Sequence, residues 1–97
     1  MPHATLNKAL STIWTTILSS AQTGLDSRQE RHLDNAISVV ESSWPPDDPE
    51  RPQAAAMCSA ARQHMAAVLG IPQRKPKGTD ALLEEVERLQ RHLGGKA

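Results

Sequence analysis

Residues 9–25 read ALSTIWTTILSSAQTGL, a run of 17 residues without one charged side chain. Leu10, Ile13, Trp14, Ile17 and Leu18 recur in it at intervals of three and four. That is the period of an α-helix. On a helical wheel of about 100° per residue they join Leu6, Ala9 and Ala21 over half the circumference. The other half carries hydroxyls: Ser11, Thr12, Thr15, Thr16 and Ser19. Thr and Ile lose rotamer freedom in a helix, so packing against neighbours must hold this one. A surface helix normally shows water several charges; this one shows Ser and Thr, which predicts cover on more than one side. The apolar half, with Trp14, is expected to build the core. The hydroxyl half needs a cover from helix 3, from helix 4 or from another molecule. Gly24 supplies the stop.

The rest of the chain continues the helical period. Leu33, Ala36, Ile37, Val40 and Trp44 form the stripe of a second helix. Its start is marked by a capping box at Ser27–Glu30, with Asp26–Gln29 as a second possible register. Pro45 and Pro46 end it, since neither donates a backbone hydrogen bond. Residues 44–52 read WPPDDPERP, a stiff connector. Asp48 is a candidate cap for a third helix, with a stripe of Ala54, Met57, Cys58, Ala61, Met65, Val68 and Leu69. Gly70, Ile71 and Pro72 read as its stop. A basic linker, QRKPKG at 73–78, precedes a fourth helix on Leu82, Val86, Leu89 and Leu93. Glu84–Arg88 and Glu87–Arg91 have the favourable i,i+4 orientation there. No segment alternates long enough for a strand. The prediction is an all-α, compact four-helix bundle-like single domain with a Pro-rich connector between helices 2 and 3. The helices span about 5–23, 27–44, 50–69 and 80–93, with linkers at 45–49 and 70–79.

A chain of 97 residues is one domain with a thin core. It has no Phe or Tyr, so Trp14 and Trp44 are its only large rings. Eleven basic and eleven acidic residues cancel. That argues against broad nonspecific binding to nucleic acid or anionic membrane, and it leaves little repulsion against self-association. The single cysteine, Cys58, forms no internal disulfide and fits a reducing, cytoplasmic setting. The apolar run is too polar to span a bilayer. Its hydroxyls also disfavour a signal-peptide reading in favour of an ordinary first helix.

No chemical signature emerges. His3, His32, His64 and His92 fall on different segments without ligand spacing, and Cys58 sits in an apolar stripe. No nucleophile elbow and no phosphate-cradling glycine loop is present. Neither a metal, a cofactor nor catalysis is expected. The expected function is non-catalytic protein binding, as a small adaptor, inhibitor or regulatory subunit. An origin in a phage or other mobile element fits that class. Candidate interface residues are Thr12, Trp14, Thr15, Thr16 and Ser19, with Val39 and Trp44 from helix 2. A protein partner or self-association would cover them. The alternative is a helix-turn-helix DNA-binding regulator. Its second helix would present Arg28, Gln29, Arg31, His32 and Asn35, side chains suited to base edges and phosphates. Arg74, Lys75 and Lys77 of the linker would hold phosphates.

Overall fold

The computed structural model describes residues 4–68 and 78–94. Four helices account for nearly all of them: α1 (Ala4–Thr23), α2 (Ser27–Ser43), α3 (Arg51–Val68) and α4 (Thr79–Gly94). The described residues contain no strand. α1 packs on all three other helices, whereas α2 and α4 do not touch. α1 is therefore a ridge between two flanks, with α3 behind it. The helices alternate in direction, so the end of α1, the end of α3 and the start of α4 meet at one end of the bundle. The fold is the expected all-α four-helix bundle.

The junctions follow from local chemistry. Gly24 adopts φ +81° and its N–H bonds to the Ser20 carbonyl at 3.0 Å, ending α1 as an αL cap. Of the two capping registers, α2 uses Asp26–Gln29. The Gln29 N–H donates to Asp26 Oδ1 at 2.8 Å, and the Asp26 N–H donates to Gln29 Oε1 at 3.1 Å. The Ser27–Glu30 register is not used. Asp48 lies three residues before the first residue of α3, Arg51, so it does not occupy the N-cap position. Its carboxylate instead accepts the Glu50 N–H at 2.8 Å and tightens the turn before Arg51. The expected stop at 70–72 lies outside the described residues.

Leu10, Ile13 and Ile17 of α1 pack with Leu33, Ile37, Val40, Met57, Val68, Val86 and Leu89 in one continuous core. Two assignments change. Leu18, grouped with the apolar half of α1, is 37% exposed. On α3 it is His64 that faces inward, at 5% exposed, while Met65 is only partly buried. Burial of Cys58 pushes its thiol up to about 12, as expected of a small core hydrophobe.

Charged side chains link the helices on the side away from the α1 ridge. Arg62 of α3 reaches both Asp34 (2.6 Å) and Glu41 (2.7 Å) of α2. Hydrogen bonds to Glu41 and Asp34 push its guanidinium further up. Arg88 of α4 pairs with Glu50 of the connector (2.8 Å) and with Glu85, not with Glu84 as the i,i+4 spacing suggested. His92 Nε2 donates to both oxygens of the buried Asp48, at 3.0 and 3.2 Å. The half-exposed arginine pairs contribute little stability singly, but they fix which flank of each helix turns inward.

Candidate protein interface

The exposed strip of α1 is built from the residues that the apolar stripe leaves over. Ser11, Thr15 and Leu18 are exposed, with Thr12, Trp14, Thr16 and Ser19 half-buried on either side. Their hydroxyls need no external partner to be stable in the helix; Thr12 Oγ1, for example, donates to the Lys8 carbonyl at 3.0 Å. The two sides of the strip meet different neighbours. Toward α2, Thr12, Thr15 and Thr16 share an open groove with Gln29 and His32. The groove continues to Thr5, Asn35 and Val39. Toward α4, Ser11 Oγ accepts from Gln90 Nε2 at 2.9 Å.

Six of the seven expected interface residues thus gather on or beside one ridge: Thr12, Trp14, Thr15, Thr16, Ser19 and Val39. Neither α3 nor α4 covers the hydroxyl half. α2 borders it and leaves its centre open. Trp14 is packed against the core from its edge, and its Nε1 is buried without an acceptor among the described residues. Trp44 is a correction. It is 3% exposed and stacks on His92 at 6.5 Å between ring centroids, so it anchors the connector and not a partner. The stripe that named it a core candidate was the better guide.

The residues of the alternative reading fall on the outer flank of α2. Arg28, Arg31, His32 and Asn35 are exposed there. Gln29 is not available for base recognition, because its side chain completes the cap of α2. Arg74, Lys75 and Lys77 lie outside the described residues. Of the two acids that stand among these bases in the sequence, Glu30 and Asp34, Asp34 turns to Arg62 on α3, while Glu30 is half-buried without an ion-pair partner among the described residues. On the opposite flank of the ridge, α4 exposes Glu84 and Glu87. Neither has an ion-pair partner among the described residues, and nor do Arg28 and Arg31.

One polar cluster was missed in the sequence. Ser20 is wholly buried and lies 2.9 Å from His64 Nε2. Thr79 Oγ1 lies 3.5 Å from His64 Nδ1 on the other side of the ring. Ser20 Oγ also sits 2.7 Å from the Ile17 carbonyl, which accepts only. The hydroxyl proton is therefore directed to Ile17, and Nε2 is the donor to Ser20. Burial lowers the pKa of His64, so the ring is held neutral. An Nε2–H donor is no base toward Ser20, so the cluster satisfies buried polar atoms without activating a nucleophile. A spacing of 44 residues between Ser20 and His64 gave no signal in the sequence. Among the described residues, no three His, Cys, Asp or Glu side chains gather as a metal site, and no helix is long and apolar enough to cross a membrane. The chain matches no protein-family model, no curated protein and no solved structure.

Proposed function

We propose that this chain is a non-catalytic protein-binding module, a small adaptor, inhibitor or regulatory subunit, and that the α1 ridge is its docking surface. One observation carries the reading. α1, which like α3 packs on all three other helices, exposes an uncharged strip of Ser11, Thr15 and Leu18, bordered by bases on one flank and acids on the other. Short hydroxyl side chains let a second backbone approach closely, and Leu18 offers apolar area at one end of the strip. Charged flanks would fix orientation and exclude wrong partners. The test is a ridge variant, Thr15→Glu/Leu18→Glu. Immobilised wild-type chain is expected to retain a protein partner, this chain included, that the folded variant loses. Equal retention by both would remove the ridge from the function.

A further inference from the structure

The geometry points to a second copy of this chain as the occupant of the α1 ridge, in a two-fold dimer whose axis runs parallel to α1. This rests on the ridge being a docking surface and names what docks there. The argument is one of charge and height. Along antiparallel helices, residues advance by about 1.5 Å each in opposite senses. The groove toward α2 is lined by Ser11, Thr12, Thr15 and Thr16 and by Gln29 and His32, and because α2 runs antiparallel to α1, Gln29 falls at its Thr15–Thr16 end. Arg28 then stands at about the height of Thr16 or Ile17, and Arg31 at about the height of Ile13 or Trp14. On the other flank, the Gln90–Ser11 hydrogen bond sets the height of α4. Counting back three and six residues puts Glu87 at the height of Trp14 and Glu84 at the height of Ile17.

The two flanks therefore carry opposite charges at matching heights. A half-turn about an axis parallel to α1 preserves height and exchanges the flanks. It lays Arg28 over the partner's Glu84 and Arg31 over the partner's Glu87, and symmetry repeats both pairs. Asn35 falls at the height of Arg91, where its side-chain carbonyl can accept from the guanidinium of the partner's Arg91. Asp26 and Asp80 lie beyond the pairs, toward the end of the bundle where α1 stops; Asp26 is engaged in the cap of α2. The alternative half-turn, perpendicular to α1 in the contact plane, would set the bases of α2 against each other and is excluded by charge.

Shape agrees with charge. α2 and α4 flank the ridge on either side without touching each other. Short side chains occupy the ridge from Ser11 to Ser19, where two α1 helices would meet, and Lys8, one turn before Ser11, is the one charged side chain of α1 that would face its symmetry mate. Long Arg and Glu side chains occupy the flanks, where the gap is wider. The protein measures 38 × 23 × 17 Å, and its broad side is large enough for the roughly 800 Å² per partner of a stable interface.

Sedimentation or light scattering over a concentration series tests this with two charge-reversal variants, Arg28→Glu/Arg31→Glu and Glu84→Arg/Glu87→Arg. Wild type is expected to dimerise, more weakly at high salt. Each variant alone places like charges together four times in the dimer, and its dissociation constant is expected to rise by about a hundredfold or more. The two variants mixed restore every pair and are expected to form a one-to-one heterodimer near wild-type affinity. Wild type monomeric to millimolar concentration, or variants that dimerise alone as well as mixed, would overturn the dimer. A monomeric wild type that still binds another protein through Thr15 and Leu18 would overturn the dimer and leave the docking surface standing.

Discussion

Replacing Ser20 by alanine tests the buried polar chain where α1, α3 and α4 meet. Ser20 is fully buried, and its oxygen is the acceptor for His64 Nε2–H at 2.9 Å. The variant strands that donor in the core, at a cost of about 1–3 kcal/mol. In a domain of this length each kcal/mol moves Tm by about 4–8 °C. Taking the middle of the range, Ser20→Ala is expected to melt roughly 8–16 °C below wild type. Ser20→Ala/His64→Leu removes donor and acceptor together and is expected to recover most of that loss. The same site has a pH signature. Burial lowers the pKa of folded His64 below its ordinary 6.5, so the unfolded chain binds the proton more readily. Its neutral-state stability is complete above 6.5 and is lost as pH falls from 6.5 toward the folded-state value. The slope in that window reaches at most about 1.4 kcal/mol per pH unit. His64→Leu is expected to lose this part of the slope. Thermal melts by far-UV circular dichroism at neutral and mildly acidic pH measure both effects. Ser20→Ala melting with wild type, or His64→Leu keeping the full acid slope, would refute the account of the cluster.

Three other substitutions or reactions check separate parts of the structure. Asp26→Ala removes the cap of α2 and is expected to cost about 1 kcal/mol, read as a lower urea midpoint, whereas Ser27→Ala is expected to change it little. Equal losses in the two variants would mean that the capping register is wrong. Ile13→Ala empties the centre of the core and is expected to cost about 2–5 kcal/mol in the same assay. Cys58, buried and with its thiol pushed up to about 12, is expected to resist a thiol reagent in native protein at neutral pH and to react promptly in denaturant.

The helices were legible because each hydrophobic stripe holds one period over several turns. Their observed ends differ from the expected ones by at most one residue where both are described. Prolines and Gly24 act through the backbone, so their meaning survives translation from sequence to structure. Leu18 did not follow the pattern because half a circumference of apolar residues is wider than the face that α2, α3 and α4 can cover. His64 was passed over for the opposite reason. A polar residue on an apolar stripe is tolerated only with partners, and Ser20 and Thr79 belong to other helices. The Asp26 register won over Ser27 because both cap bonds close there; the sequence offered two similar boxes and no means of weighing them. On the candidate interface, periodicity separated the hydroxyl face from the core face of α1. Trp44 was ambiguous, since a large ring suits a core and an interface equally until its neighbours are known.

Net charge hides the feature that most constrains the partner. Eleven acids and eleven bases sum to zero, but the sum does not say which of them are already spent. Asp34 and Glu41 are held by Arg62, Glu50 and Glu85 by Arg88, and Asp48 by His92. All of these turn away from the ridge. Removing them leaves Arg28 and Arg31 on the outer flank of α2, with Glu30 half-buried beside them, and Glu84 and Glu87 on the outer flank of α4, with Arg91 one turn on. A flank of bases alone would suit a phosphate backbone, and this is why α2 resembles a recognition helix in the sequence. The acids of α4 stand one helix away across α1, within the width of a duplex, and would repel the same backbone. A surface of opposite charges at equal heights instead favours a partner with the mirrored order, and a half-turned copy of the same chain has it. Salt separates the two cases by magnitude. Duplex binding would weaken steeply with salt through release of counterions along the phosphates. A dimer held by short-range packing along Thr15 and Leu18, with four rim pairs, would weaken only modestly.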